Sequence, residues 1–352
     1  MKKLKTIIRN NILGFIVGGI LFGGIGVVYA ATLLDSGKVS FSNKNMKSTN
    51  VQDAIDELNT TCNAALTASY KLKKTIVTSG DGLYKDSTET GRYVYRGANP
   101  NNYIKLGSDM YRIISVESDN TLKVIKNGSI GSRVFDTQNA RYSTTSTDYC
   151  TSKYGCKAWG SKTTTLDTNG KNVTQMPKEV NGTLYNLPDA EATLNTYLNN
   201  DWYNSLSSNV QNIVVSHMFN VGVTKYNETN LSNTITQEQT YKWKGKVGLM
   251  NVSDYIKANN NVDSCGTYSL NQSNYRTCNT TNWRFASLAS TYPWTIAPFS
   301  NSGAYGMILV FSVGTLDYSD ASTSHGVAPV LYLSSDISLE GEGTSNSPYT
   351  VG

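Results

Sequence analysis

The sequence predicts an α+β protein with an N-terminal signal or anchor helix, an amphipathic stalk helix, and then a mainly antiparallel β domain with a few helices. Before residue 74 the apolar residues recur at helical spacing, and after it short β-rich runs alternate with Gly, Asn and Asp turn signals. No repeat or proline-rich linker divides the β-rich part. We therefore place the boundaries at residues 1–31, 32–74 and 75–352.

The first segment has the pattern of an export signal. Lys2, Lys3, Lys5 and Arg9 form a basic head, and the uncharged stretch 12–29 follows it. Such a head and apolar stretch direct a chain to the secretory machinery. Eighteen helical residues span about 27 Å, close to the bilayer core of about 30 Å, whereas six glycines dilute the hydrophobicity. Both a retained anchor in the cytoplasmic membrane, which we favour slightly, and a cleaved signal peptide remain open, and both predict an exported protein.

The charge of the exported part argues against a nucleic-acid partner. The chain has 31 Lys and Arg residues against 26 Asp and Glu, and the four cations of the head leave 27 against 26. Nucleic-acid binding depends on clustered cations. The 23 tyrosines are typical of binding surfaces built from uncharged polar residues, although tyrosine also has a high strand propensity.

The stalk helix is predicted from a capping signal and a hydrophobic seam. A polar spacer, 32–47, precedes the capping-box pattern at Thr49–Gln52. The apolar seam continues through Ile55, Leu58 and Cys62. This seam is compatible with a short coiled coil or with packing against the helix's own domain.

The β domain is predicted from strand-like runs that flank a helical region. A long loop is expected over 128–180, and the four helices that follow it are predicted to be capped by Asp189, Ser207, Thr234 and Ser253. The predicted strands are 92–96, 102–106, 110–116, 121–126, 246–251, 294–297, 305–313, 315–318 and 327–333, with a last ribbon around 337–351.

The five cysteines of an exported chain indicate disulfides. With Cys62 as the odd one, the other four allow three connectivities. We favour the two local pairs, Cys150 with Cys156 and Cys265 with Cys278, because each closes a loop that lacks core-forming residues. Zinc is not expected, since neither pair has the C-x₂-C spacing of a zinc site.

Five stretches resemble an uncharacterised family of exported, N-terminally anchored proteins of low-GC Gram-positive bacteria. The resemblance covers nearly the whole chain and implies a location outside the cytoplasmic membrane, but the family has no established activity. The stretches are Ser79–Tyr84, Tyr95–Tyr103, Tyr111–Val116, Gly245–Tyr255 and Ala328–Leu333.

The C-terminal part is also similar to the end of C-type-lectin-like and sulfatase-modifying-factor-like domains, through Trp294–Pro298 and Gly326–Leu333. This resemblance implies a C-type-lectin-like fold. Ala328 replaces the arginine that is usual there. Residues 297–299 lack the Glu-Pro-Asn or Gln-Pro-Asp ligands of calcium-dependent lectins, and Cys278 precedes the matching strands, so neither a calcium site nor oxidase chemistry is expected.

Aromatic residues are the only candidates for ligand binding. Trp283, Tyr292, Tyr305 and Tyr318 lie in the part that matches the ligand-facing end of lectin-like domains, where sugars stack on rings or protein partners bury them. Trp294 is expected in the core instead.

No motif for catalysis, a cofactor or a metal is present, and His217 is expected to be a structural histidine. The leading hypothesis is a non-enzymatic cell-surface or secreted binding or adhesion protein for an unknown glycan or protein. The alternative is a hydrolase of envelope polymers, for which the structural sign is two acids in a cleft with one raised pKa. A pilin-like subunit is the least favoured hypothesis, because the apolar stretch contains no acid.

Overall fold

The computed structural model describes residues 47, 49–57, 67–137, 149–151, 153–225, 228–261, 265, 275–288, 291–300, 306–310 and 315–352. The chain divides into two units, Met1–Ala65 and Leu66–Gly352. The predicted export segment, 1–31, and the seam residues Leu58 and Cys62 lie outside the described residues. Within the described ranges, no helix has the length and apolar character needed to cross a membrane.

In the first unit the described part contains one helix, α1 (51–57). Asn50 caps it: the Asp53 backbone N–H donates to Asn50 Oδ1 over 2.8 Å, and the Asn50 side-chain amide donates to Asp53 Oδ2 over 2.6 Å. The described part therefore contains the start of the predicted helix, with Asn50 and not Thr49 as its cap.

The second unit combines short helices with many short strands. Its helical segments are α2 (Ala68–Lys73), α3 (Thr193–Tyr197), a π-helical turn (Leu198–Trp202), α4 (Tyr203–Ser205), α5 (Ser208–Ile213), α6 (Leu231–Gln239), α7 (Val252–Lys257), α8 (Tyr275–Thr280) and α9 (Trp283–Leu288). Its strands are β1 (Gly82–Lys85), β2 (Tyr93–Arg96), β3 (Tyr103–Leu106), β4 (Asp109–Val116), β5 (Leu122–Lys126), β6 (Ser132–Val134), β7 (Cys150–Thr151), β8 (Gly155–Cys156), β9 (Thr165–Leu166), β10 (Gln175–Pro177), β11 (Leu184–Asn186), β12 (Val214–Val215), β13 (His217–Asn220), β14 (Thr224–Lys225), β15 (Lys242–Gly245), β16 (Val247–Gly248), β17 (Trp294–Ser300), β18 (Gly306–Val310), β19 (Leu316–Asp320), β20 (Ser324–Gly326), β21 (Val330–Leu333), β22 (Leu339–Glu340) and β23 (Tyr349–Val351).

The largest sheet has ten strands and is mostly antiparallel. Its main path runs β12–β21–β5–β4–β3–β23–β22, with β16 on β21, β2 on β4 and β1 on β2; β23 and β3 are parallel. The predicted strands 102–106, 110–116 and 121–126 correspond to β3, β4 and β5, which pair antiparallel in chain order, whereas β2 pairs with β4 and not with β3. Almost every residue of β5 and β21 is buried, on both faces of the sheet. The α+β class with an antiparallel-rich sheet is therefore confirmed.

A second sheet carries the C-terminal aromatic residues. Its order is β14–β17–β18–β19, with β14 parallel to β17 and the other pairs antiparallel. The chain then passes from β19 through a short turn to β20, which pairs with β6 in a two-stranded ribbon. Strand β19 is thus the end strand of its sheet in the described part of the chain, and β20 belongs to a different sheet.

Three helix starts and one loop differ from the sequence prediction. Helix α3 begins after Ala192, which forms no side-chain cap hydrogen bond, and not after Asp189. Helix α6 begins after Asn230, whose side chain accepts the N–H groups of Ser232 and Asn233, and not at Thr234. Helix α7 begins after Asn251, which forms a capping box with Asp254, and not at Ser253. Asparagine is at least as good an N-cap as serine or threonine, so the earlier asparagine caps the helix in α6 and in α7.

The stretch predicted as a long loop, 128–180, contributes to the core. Phe135 and Trp159 are fully buried within it, and their ring centroids are 5.7 Å apart. A small second cluster around Tyr149 and Met176 packs beneath the same stretch. The strands of this stretch are only two or three residues long, too short to produce a clear hydrophobic pattern.

Candidate functional site

Among the predicted binding residues whose positions are described, Tyr318 is the exposed aromatic residue. It lies in the middle of β19, opposite Ile308 of β18. Its side chain is 42% exposed, and its ring stacks on the buried ring of Phe299 at a centroid distance of 4.1 Å and an interplanar angle of 10°. The Tyr318 backbone N–H donates to Asp317 Oδ1 over 2.8 Å. The ring is thus held on a rigid base at the surface.

Many tyrosine rings in the described part of the chain lie next to a cation of the same chain. In twelve described tyrosines a lysine Nζ or an arginine guanidinium lies within 5.8 Å of the ring centroid. Tyr70 is an example: it is 42% exposed, and Lys74 Nζ lies 4.3 Å from its ring centroid. Such contacts stabilise the fold by about 0.5–1 kcal/mol at exposed sites. A high tyrosine count is therefore weak evidence for a large binding surface.

The other predicted binding residues have different environments. Trp283 is a core residue, 1% exposed, whose indole N–H donates to the Tyr95 carbonyl over 2.9 Å. Burial removes Trp283 from any surface that a ligand contacts. Tyr292 is half-buried and packs against the core, and Tyr305 lies outside the described residues. Trp294 is 1% exposed, as expected for a core residue.

The four paired cysteines form the two local disulfides that we favoured from the sequence. Cys150–Cys156 joins β7 to β8, and Cys265–Cys278 closes a loop before α9. Disulfides persist in oxidising compartments, so both bridges are consistent with an exported protein. Among the residues with described positions, no group of three or more His, Cys, Asp and Glu side chains could hold a metal ion.

A cluster of charged side chains, most of them buried, lies around Arg92. Arg92 contacts four carboxylates, with its nearest nitrogen 2.8 Å from Asp254, 2.9 Å from Glu89, 3.1 Å from Glu117 and 3.3 Å from Asp86. Lys123 Nζ lies 2.6 Å from Asp254, and Lys257 Nζ contacts Glu89 and Asp86 at 2.7 and 2.8 Å. We call these seven residues the ion cluster.

The ion cluster joins distant parts of the chain. It connects the loop between β1 and β2, strands β4 and β5, and helix α7. Burial disfavours the charged form of Asp254, but Lys123 and Arg92 outweigh that effect and hold the pKa of Asp254 below its usual value. Asp254 is therefore ionised at neutral pH, opposite the cations of Lys123 and Arg92.

One acid beside the ion cluster has a raised pKa. Burial raises the pKa of Glu238 to about 7, against the hydrogen bonds that it accepts from the Ser253 hydroxyl and N–H, and the negative charge of Asp254 raises it further. Glu238 and Asp254 are neighbouring acids whose pKa values are shifted in opposite directions, as the hydrolase alternative predicts. However, Glu238 is 1% exposed and Asp254 is 5% exposed, so neither carboxyl reaches a substrate. The geometry supports a structural role for this pair.

His217 is held by three contacts. Its Nε2 lies 3.1 Å from Asp119 Oδ2, its Nδ1 lies 3.1 Å from the Met218 carbonyl, and its ring stacks on Tyr332 at 3.8 Å. Both ring nitrogens thus face oxygen acceptors, and neither contacts the neighbouring Ser216. This arrangement agrees with the expected structural histidine.

The fold and the disulfides define a β-rich α+β protein with oxidised cysteine pairs. No family model matches the chain, and neither the curated proteins nor the solved structures include a protein similar to it. The functional argument therefore rests on the residues of this chain.

Proposed function

We propose that this chain is an exported, lectin-like binding protein, at the cell surface or secreted, that recognises a glycan through Tyr318. The observation that carries the proposal is the combination of exposure and rigidity at this residue, which is 42% exposed yet stacked on buried Phe299. A rigid ring loses little conformational entropy when a ligand covers it. The two disulfides support the exported location, and residues 1–31 are the proposed membrane contact.

A glycan fits this site better than a protein does. A stable protein interface buries about 800 Å² on each partner and is centred on several large side chains. A sugar needs one ring for its C–H face and a few polar acceptors for its hydroxyls. Asp320 lies two residues from Tyr318 on the same face of β19, and its carboxylate can accept such hydrogen bonds.

The experiment compares two variants that remove equally exposed tyrosines. The full chain and its Tyr318→Ala and Tyr70→Ala variants are applied to arrays of glycans and of extracellular proteins. We expect the wild type to bind a glycan, Tyr318→Ala to bind it about tenfold more weakly, which is about 1.4 kcal/mol, and Tyr70→Ala to bind like the wild type. Tyr70 is the matched control because it is equally exposed and lies on a different element, helix α2.

Three outcomes contradict the proposal. One is an array on which the wild type binds no glycan, and another is binding to a protein only. The third is an equal loss of affinity in both variants, which indicates a general effect of removing a surface tyrosine.

A further inference from the structure

A serine and a histidine meet at the turn that follows Tyr318. Ser319 is the next residue of β19, and His325 is the middle residue of β20. His325 Nε2 lies 2.8 Å from Ser319 Oγ. The turn between them is closed by the Thr323 N–H, which donates to the Asp320 carbonyl over 2.9 Å. Both residues are partly exposed. The chain has two histidines, both in the described part, and only His325 contacts a hydroxyl.

The orientation of the His325 ring is set by its neighbours. The ring lies edge-to-face on Trp294, with the centroids 4.6 Å apart and the planes at 82°. The indole N–H of Trp294 in turn donates to the Arg133 carbonyl over 2.9 Å, and Arg133 pairs with His325 across the β6–β20 ribbon. The aromatic wall and the ribbon hold the imidazole with Nε2 toward the hydroxyl.

His325 has the protonation state that a general base requires. Partial burial lowers the pKa of His325 below its ordinary value of 6.5. The ring is therefore mostly neutral at pH 7. A neutral imidazole whose Nε2 faces a hydroxyl can accept the hydroxyl proton, and its other nitrogen then carries the hydrogen.

We propose that Ser319 and His325 form a nucleophile–base pair that hydrolyses small acyl esters. Ser319 Oγ forms a bond to the acyl carbon while its proton moves to His325 Nε2. The tetrahedral intermediate then expels the alcohol, which takes the proton from His325, and an acyl-serine ester remains. Water attacks that ester with His325 as the base, so the net reaction is ester plus water to acid plus alcohol.

The surroundings of His325 favour esters over amides. In the described part of the chain no carboxylate contacts His325, so the imidazolium formed during attack lacks the stabilisation that a third acidic residue supplies. Esters need less activation than amides. Arg133 lies directly across the ribbon from His325, but its guanidinium lies 3.4 Å from the centroid of the Tyr197 ring, so we assign it no part in the reaction.

This site is separate from the proposed glycan contact. Successive residues of a strand point to opposite faces of the sheet, so Ser319 and Tyr318 face in opposite directions from β19. Loss of glycan binding and loss of ester hydrolysis are therefore distinguishable, and either activity can fail without the other.

The test uses a fluorophosphonate probe and p-nitrophenyl acetate. The full chain is treated with the probe, the labelled residue is located by peptide mass spectrometry, and ester hydrolysis is followed over a pH series. We expect the phosphonyl group on Ser319, and a hydrolysis rate that rises with pH as His325 loses its proton. Ser319→Ala should lose both signals, and His325→Gln should lower the hydrolysis rate by roughly 10²-fold or more.

The matched control is Ser322→Ala. Ser322 lies in the turn between the two residues and donates to the Lys153 carbonyl, so its removal should leave labelling and hydrolysis unchanged. The proposal is overturned if folded wild type is not labelled at Ser319, or if His325→Gln labels and hydrolyses as the wild type does. A folded state common to all variants is checked by circular dichroism.

Discussion

The ion cluster and the β19–β20 segment (Leu316–Gly326) both gather polar side chains, but they differ in access to solvent. In the ion cluster Arg92, Lys123 and Asp254 are buried and each charge has an opposite partner within hydrogen-bond distance. In the β19–β20 segment Tyr318 is exposed, and Ser319 and His325 are neutral and partly exposed. The strongly coupled charges therefore have a structural role. The weaker, accessible contacts of the β19–β20 segment form the candidate functional site.

The physical reason is the cost of removing a charge from water. A buried charge is tolerated only where its partners compensate for the lost hydration. Each charged group in the ion cluster therefore contacts a group of opposite charge. A ligand can compete for a hydroxyl or a ring at the surface at much lower cost. Strongly shifted pKa values are thus a poor guide to the binding site here, although they often identify functional sites.

The largest effect is expected from removing the central cation of the cluster. Arg92→Met leaves four carboxylates with two lysines, so the free energy of unfolding should fall by about 3–5 kcal/mol, as measured by urea denaturation. The control is Lys162→Met, which removes an exposed pair with Asp189 and should cost about 0–1 kcal/mol.

Arg92→Met can be compared only if it folds, so Lys257→Met provides a second measurement. This variant leaves Arg92 to pair with Asp86 and Glu89, so we expect a smaller but clear loss. A loss in either cluster variant no greater than that of Lys162→Met would show that the cluster does not stabilise the fold.

The sequence predicted the framework of the sheet better than it predicted either polar site. The runs 102–106, 110–116 and 121–126 correspond closely to β3, β4 and β5, because hydrophobic pattern and turn residues are local signals. Lys123, by contrast, lies within the apolar run of β5, and its partner Asp254 is 131 residues away. Which acid meets which cation depends on tertiary structure, so no local pattern reveals the cluster.

The aromatic candidates illustrate the same limit. Trp283 and Tyr318 were indistinguishable in sequence as possible ligand contacts, yet one is 1% exposed and the other 42%. The sequence also did not predict the contact between Ser319 and His325. Their separation of six residues does not match any catalytic motif, and the turn that joins β19 to β20 was needed to bring them together.

A smaller, pH-dependent effect is expected at Glu238. The folded pKa of about 7 lies above the value of about 4.3 for an unfolded glutamate. The unfolded chain therefore releases its proton first as pH rises. The free energy of unfolding therefore falls as pH rises from about 4 to about 7. Between pH 5 and pH 8 this loss amounts to about 2–3 kcal/mol. Glu238→Gln should remove this loss and be more stable than the wild type at pH 8.

The measurement is urea denaturation of both proteins at pH 5 and pH 8. Glu228→Gln is the control, because hydrogen bonds lower the pKa of Glu228 and it titrates below this range. If Glu238→Gln and the wild type show the same pH dependence, Glu238 is ionised in the folded protein and the ion cluster tolerates another negative charge.

The smallest effect is expected at His325, because the site is half exposed to solvent. Burial lowers the folded pKa of His325 below the unfolded value of about 6.5, so the folded protein binds its proton less readily. Stability is then greatest above pH 6.5 and falls as pH drops through the folded pKa, in the direction opposite to that of Glu238. In the Glu238→Gln background, where the larger effect is absent, His325→Gln should flatten the remaining dependence between pH 5 and pH 7. Ser319→Ala should leave this dependence in place, because it removes the partner and not the titrating group. An unchanged dependence in the His325→Gln variant would mean that His325 protonates equally well in both states, and the case for a neutral base at Ser319 would then be lost.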